Sequence, residues 1–358
     1  MEPVTHFLTG ACLGRSGFNR KTAYATLAMT LAAEAPDIDI VWGLRGPVAG
    51  FQHHRGITHT LIGAPFMALL VTGLVWLVWR FRRKDPILAP RWFLIWLFAL
   101  IADLSHLLLD FTNNYGVRPF YPFDPHWFAW SIVFIVDPWI FLALLGALLL
   151  PAILGLADRE IGAKKKPFRG RGWAIAALTF IVLWWGVRNA EHAHALALVN
   201  TGDFTREPLL RSAAEPTMVD PFHWHVIMET RDTYQLADVH TLSNQVATDN
   251  TEVIYKPAVT PAVAAAKQSY LGKVYLDWST WPLVDDRGLL PIPGSSVTPD
   301  PTWHTVEFQD LRFRSLTTLS RGRSGAPNPP LSGWVYVGPA PRNEIEGMFM
   351  GGHEQQQP

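Results

Sequence analysis

Phe51-Gln-His-His-Arg-Gly-Ile-Thr-His-Thr60 sets three imidazoles and a guanidinium directly in front of an apolar run, 60–79, that ends at Trp76-Leu-Val-Trp-Arg80. About 20 apolar residues are needed for a helix to cross the hydrocarbon core of a bilayer, so the run reads as a membrane span. Imidazole is the commonest metal-binding side chain. Several polar groups at the mouth of a span are costly unless they serve a function. The stretch therefore fixes two expectations at once: a membrane helix bundle, and a metal site at its surface to which His53, His54 and His59 contribute. Of the adjacent pair, one is expected to be a ligand and the other to pack or contact substrate.

Working outward, 92–111 gives a second span, 131–157 a third, and 173–188 a last, shorter one. Residues 3–16 and 22–35 are too short to cross alone. They read as a helical hairpin that dips partway into the bilayer or packs inside the bundle. After about residue 200, prolines and charges rise and short alternating runs appear. Strands are expected at 223–229, 234–240, 252–255, 274–278, 305–313 and 334–337, with one helix at 261–271 and Pro/Gly/Ser-rich loops at 282–301 and 321–333. The expected fold is an α-helical membrane bundle of three to four full spans plus a short N-terminal helical hairpin (1–195). A soluble α+β domain with an antiparallel sheet (196–346) and a disordered tail (347–358) follow.

The 358 residues carry 30 basic and 30 acidic side chains, and this zero balance gives no support to nucleic-acid binding. Cys12 is the single cysteine, which excludes an intrachain disulfide and a cysteine-rich zinc knuckle. The start, Met1-Glu-Pro-Val-Thr-His6, lacks the basic segment of a secretory signal, so internal spans are expected to direct insertion. Arg80, Arg82, Arg83, Lys84 and Arg91 form one basic loop; Arg159, Lys164, Lys165, Lys166, Arg169 and Arg171 form another. Basic loops stay in the cytoplasm. Loops 36–58 and 112–130, and everything after about 190, then face outward, which is the periplasm in a Gram-negative cell.

Inside the second span, Asp103, His106 and Asp110 fall at i, i+3 and i+7, on one helical face. A charge deep in a span costs about 2.5–3.5 kcal/mol. A bound divalent cation offsets that cost and the mutual repulsion of two carboxylates; a polar seam between helices is the plainer alternative. Asp37 and Asp39 alternate with isoleucines after Pro36, so an extended segment would turn both to one side. His6 lies near the start of the first helix, at the same end. Arg55 suits a phosphate or carboxylate clamp, or an ion pair with Asp37 or Asp39. His223 and His225 share one face of an expected strand and offer a minor metal site. No Gly-x-Ser-x-Gly or P-loop pattern appears, so neither a serine hydrolase nor an NTPase finds support.

Thr5-His6, Ala35-Pro-Asp37-Ile-Asp39, His54-Arg-Gly-Ile-Thr-His59 and Asp103-Leu-Ser-His106 with Asp110 together resemble the YdjM-type inner-membrane proteins, a LexA-regulated family assigned as metal-dependent hydrolases. The likeness covers about residues 1–155. It implies metal ligation by His6, Asp37, Asp39, His54, His59, His106 and Asp110. That number of donors exceeds one tetrahedral zinc, so it fits two ions, or one ion with an outer carboxylate that orients an imidazole; manganese or iron are alternatives to zinc. Asp103 then remains as the expected general base and Arg55 as the anchor for an anionic substrate. The expected activity is hydrolysis of an ester or phosphoester of a lipid or lipid-linked molecule, reached from the bilayer. A metal-stabilised, non-catalytic scaffold is one rival. A transporter is the other, although carriers place their sites near the midplane and show repeated halves.

Overall fold

The computed structural model describes residues 1–82, 88–160, 169–292, 297–314 and 331–355. The centres of both basic loops (83–87 and 161–168), parts of the two Pro/Gly/Ser-rich loops (293–296 and 315–330) and the last three residues lie outside the described set.

The helical part opens with the expected hairpin, α1 (Pro3–Arg15) and α2 (Ala25–Ala32). Pro3 occupies the first helical turn, where its missing N–H costs nothing, and the Glu2 carboxylate accepts the Thr5 N–H at 2.8 Å. Gly10 and Gly14 let α2 approach closely: a Cβ on Gly10 would lie 2.4 Å from the Met29 carbonyl oxygen, and one on Gly14 2.5 Å from the Thr26 Cα. This is the small-residue packing that membrane helices use. The hairpin does not stop partway. Its tip meets the basic end of the bundle, where Arg171 Nε donates to the Ser16 carbonyl at 3.0 Å.

Four long apolar helices follow: α4 (Ala64–Phe81), α5 (Trp92–Thr112), α6 (Pro138–Glu160) and α7 (Arg171–Thr201). Before α4, a 3-10 stretch (Ala35–Arg45) leads to the short helix α3 (Pro47–His53), in place of the extended segment and loop expected there. Pro36 sits in the first turn of that stretch, where its missing N–H costs nothing. The fourth span was expected to stop near 188. Instead α7 runs 31 residues, about 46 Å at 1.5 Å per residue against a hydrocarbon core of about 30 Å. Its last turns leave the bundle and pack Ala195 and Val199 against Trp224 and Val226 of the first sheet. Arg188 is buried at that passage, donating to the Ile132 carbonyl at 2.7 Å beneath the Trp224 ring.

Beyond α7 the sheet is two sheets, both antiparallel meanders. The first holds β1 (Arg211–Pro216), β2 (His223–Glu229), β3 (Thr233–His240) and β4 (Gln245–Tyr255). The second holds β5 (Pro282–Asp286), β6 (His304–Asp310), β7 (Gly333–Val337), β8 (Ile345–Met350) and β9 (His353–Gln355). Between them lie α8 (Pro261–Gln268) and α9 (Tyr270–Trp278), split at Ser269, whose hydroxyl accepts the Gly272 N–H at 3.0 Å. Residues 274–278, expected as a strand, are therefore helix: Leu271, Val274, Tyr275 and Trp278 are all buried at helical spacing. The expected disordered tail is also ordered up to Gln355. Gly351 and Gly352, at φ 59° and 79°, supply the two left-handed positions of a tight hairpin between β8 and β9.

The core of the second sheet does not end at the sheet domain. Val48 and Tyr115 from the helical part belong to the same buried cluster as α9, β6 and β7. Arg312, paired with Asp310, donates to the Asn114 carbonyl at 2.7 Å, and the Trp278 indole donates to the Tyr115 carbonyl at 3.2 Å.

Candidate metal centre

The segments converge at the end of the bundle opposite the basic loops. Asp37 and Asp39 come from the 3-10 stretch, His54, Arg55 and His59 from the link to α4, and His106 and Asp110 from the last turns of α5. In a 3-10 helix, residues two apart point in different directions. Asp37 and Asp39 accordingly do different things.

Asp39 is nearly buried and sits behind the imidazoles. It accepts from His54 Nδ1 at 3.2 Å, the Arg55 backbone N–H at 2.8 Å and Thr58 Oγ1 at 3.3 Å, and faces His59 Nδ1 at 3.1 Å. A proton on His59 Nδ1 leaves its Nε2 as a bare donor atom. His106 is set the same way: Nδ1 donates to the Ala33 carbonyl at 2.7 Å, which frees Nε2. The two Nε2 atoms lie 3.0 Å apart. Two lone pairs opposed at that distance repel unless a proton or a cation lies between them.

The surroundings supply the rest of a cation site. Asp37 Oδ1 is 3.3 Å from His59 Nε2 and 3.7 Å from His106 Nε2. Asp110 Oδ2 is 3.6 Å and 3.4 Å from the same two atoms, is buried, and has no hydrogen-bond partner among the described residues. These five separations, 3.0 to 3.7 Å, bracket the edge of about 3.3–3.4 Å that bonds of about 2.0–2.1 Å to a tetrahedral zinc require. Burial works against charge on Asp37 and Asp39, but the imidazoles on them outweigh it: the Asp37 carboxyl is held down at about 2 and Asp39 below the usual carboxylate range. The donor set is the right chemistry for a divalent ion.

His6 joins this group from α1. Its ring stacks on His106 with centroids 3.7 Å apart, its Nε2 is 3.3 Å from Asp110 Oδ1 and 3.0 Å from the Met1 nitrogen, and its buried Nδ1 has no hydrogen-bond partner among the described residues. His54 stands at the rim with Asp37 and Asp39, its side chain 37% exposed. His53 does not join the cluster; it stacks on Trp42 at 4.1 Å and faces a neighbouring cavity. Asp103 is buried one turn deeper, and both of its carboxylate oxygens are without partners among the described residues. It shares the α5 stripe but touches none of the histidines, so the structure does not bring the expected general base to the site. Arg55, 3% exposed, is committed to the protein: Nη2 to Asp110 at 2.7 Å, Nη1 to the Gly116 carbonyl at 2.7 Å, and the plane 4.6 Å from the Tyr115 ring centre. Burial draws its pKa down to about 10, still cationic at neutral pH.

Glu34 was not singled out from sequence. Burial, then the charge of Asp37, pushes its carboxyl up to about 7, and Oε1 is buried without a hydrogen-bond partner among the described residues. Only the fold creates that environment, and no spacing rule marks it. A second cluster lies on the first sheet. His223, His225 and Asp238 meet across β2 and β3, with the His240 ring stacked on His223 at 4.4 Å.

No solved structure matches the chain. A Bacillus subtilis (strain 168) protein named as the uncharacterized protein YfhP is 30% identical over 156 residues, 41% of this chain and 45% of that protein, so the match spans less than half of the relative's length. The family model described as YdjM inner membrane protein matches residues 1–195, the hairpin, the four spans and the whole His/Asp cluster. The chain belongs to the YdjM inner membrane protein family, and is a bacterial inner-membrane protein of four long apolar helices followed by antiparallel sheets.

Proposed function

We propose that the protein is a membrane-bound, metal-dependent hydrolase acting on an ester or phosphoester of a lipid or lipid-linked molecule, with its site at the outer face of the inner membrane. The observation that carries the reading is the facing pair His59 Nε2 and His106 Nε2, 3.0 Å apart, with Asp37 Oδ1 and Asp110 Oδ2 each within 3.7 Å of both. These residues would hold a divalent ion, zinc by donor type, with His6 available for a second ion or as a stacked support. When bound, such an ion supplies Lewis acidity and makes a water acidic enough to ionise near neutral pH. The protein's own contributions are separate from that. Asp39 fixes the His59 tautomer. Arg55 locks Asp110 and cancels part of the buried negative charge. The outward orientation rests on the basic residues Arg82, Arg91, Arg169 and Arg171 at the opposite end of the spans.

One observation favours the rival scaffold reading. Arg55 is buried, and its Nη1 and Nη2 are spent on Asn113, Gly116 and Asp110, so neither is left to clamp a substrate. Both readings require metal. Elemental analysis of the purified protein should find at least one equivalent of zinc, manganese or iron, lost in His59→Ala and His106→Ala while both variants still insert. A broad ester and phosphoester panel then separates them: turnover that vanishes with the metal supports the enzyme, and metal without any turnover supports the scaffold.

A further inference from the structure

The run His223-Trp-His225 on β2 carries a chemistry that the histidine cluster of the bundle does not use. Residues two apart on a strand share a face, so both imidazoles stand on one side of the sheet and the Trp224 indole on the other. Trp224 is fully buried and packs with Val226 and Val239 against Ala195 and Val199 of α7. The antiparallel register sets Asp238 of β3 opposite His225, and His240 opposite His223. Directly opposed residues on one face have Cβ atoms about 4.5–5.5 Å apart, within reach of each other's side chains.

Three of these side chains aim at one point. His225 Nδ1 is hydrogen-bonded to Asp238 Oδ1. His223 Nε2 lies 3.3 Å from the same oxygen, is buried, and has no hydrogen-bond partner among the described residues. Two imidazoles that merely paired with a carboxylate would divide its two oxygens. Here both address Oδ1, one through Nδ1 and the other through Nε2. The three donor atoms all lie within 4.8 Å of one another. Among the described residues the ion pairs of Asp238 are with these two histidines, so no lysine or arginine competes for it.

Two imidazoles and one carboxylate are the donors that zinc and copper(II) favour. The separation of 3.3 Å between His223 Nε2 and Asp238 Oδ1 matches the edge of about 3.3–3.4 Å that a tetrahedral zinc requires. The scaffold behind them is firm: β2 and β3 are the inner strands of their sheet, and its other face is packed on α7. The approach to β2 is tied to the spans, because Trp139 Nε1 donates to the Val219 carbonyl at 2.9 Å and Arg188 Nη1 to the Asp220 carbonyl at 3.4 Å. The front is open. The side chains of His223, His225 and Asp238 are 26%, 33% and 38% exposed, so an ion held by three protein atoms keeps a position for water or an external ligand.

We infer that His223, His225 and Asp238 form a second divalent-cation site, suited to zinc, that is open to solvent and clamps β2 to β3 where the sheet meets the spans. An ion there takes the place of the proton between His225 and Asp238, which leaves to solvent. All three residues lie beyond the 1–195 segment that the family model matches, and the site does not rest on the hydrolase reading.

Zinc titration of the full chain in detergent tests it, in a His59→Ala/His106→Ala background that lacks both facing nitrogens of the bundle centre. Competition with a chromophoric chelator should find one equivalent of zinc held with a Kd of about 1 μM or tighter. Adding His225→Ala or Asp238→Asn should weaken it at least about tenfold, whereas His194→Ala, at an exposed histidine outside the cluster, should leave it unchanged. Zinc should raise the thermal midpoint, and Asp238→Asn should abolish that rise while melting with its parent when chelator is present. Copper(II) in the same background should show electron paramagnetic coupling to two imidazole nitrogens, reduced to one by His223→Ala. Absence of zinc binding, binding indifferent to both His225→Ala and Asp238→Asn, or a copper spectrum unchanged by His223→Ala would each overturn the site and leave an imidazole–carboxylate pair on the sheet surface.

Discussion

Asp39 holds His54, Arg55, Thr58 and His59 through one carboxylate, so its effect on a bound ion is exerted through other residues. Asp39→Asn should lower metal affinity by about 10- to 100-fold, the usual cost of losing an outer carboxylate, where His59→Ala abolishes binding. Chelator competition distinguishes the two. A second buried carboxyl, Glu215 on β1, gives a pH prediction. Burial raises it from 4.5 to about 7, with Arg312 opposing. Below about 4.5 both folded and unfolded chains hold the proton and the group is neutral to stability. Between there and about 7 the unfolded chain ionises first, so stability falls as pH rises, by on the order of 3 kcal/mol in full. Glu215→Gln should therefore raise the thermal midpoint at pH 8 and leave it nearly unchanged at pH 4; an equal shift at both would refute the assignment. Residues of the metal group were legible in sequence because His and Asp are conspicuous at a membrane face. What the sequence hid was the division of labour. Asp37 and Asp39 separate only once a 3-10 helix turns them apart, and His53 and His54 only because α3 ends between them.

At the level of elements, the hairpin α1–α2 decides whether His6 reaches Asp110. Gly10→Ala would drive a methyl group into the Met29 carbonyl and Ala33, with backbone on two sides of it. Overpacking of that kind costs about 1–3 kcal/mol. The expected result is a lower thermal midpoint together with weaker metal retention, because α1 must move off α2 and carries His6 with it. Ala11→Gly at the adjacent position is the control and should leave metal retention unchanged. The spans were legible because about 20 apolar residues admit few other readings. The short elements were not. Tyr270–Trp278 has too few residues for its helical period to stand clear of alternation, and β8 passes for tail because Gly347, Gly351 and Gly352 surround its buried Met348-Phe-Met350.

At the level of the whole molecule, helical part and sheet part share one core, and Gln355 on β9 shows how closely. Its side chain accepts from the Val48 and Ala49 N–H groups at 3.0 and 3.3 Å and donates to the Arg45 carbonyl at 3.1 Å. Gln355→Ala should speed hydrogen exchange at Val48 and Ala49 and loosen the segment between Asp39 and His54, with little effect on the spans. Exchange mapped by mass spectrometry checks this; unchanged protection at both amides would mean that packing of Val48 alone holds the segment. The same clasp sets an order of events during biosynthesis. The ribosome delivers the whole His/Asp cluster of the helical part by residue 110, yet the residue that pins its loop emerges some two hundred and forty positions later. A nascent chain thus passes most of its synthesis with the His/Asp loop inserted but slack, and that loop is clasped only when β9, the last of the described strands, docks.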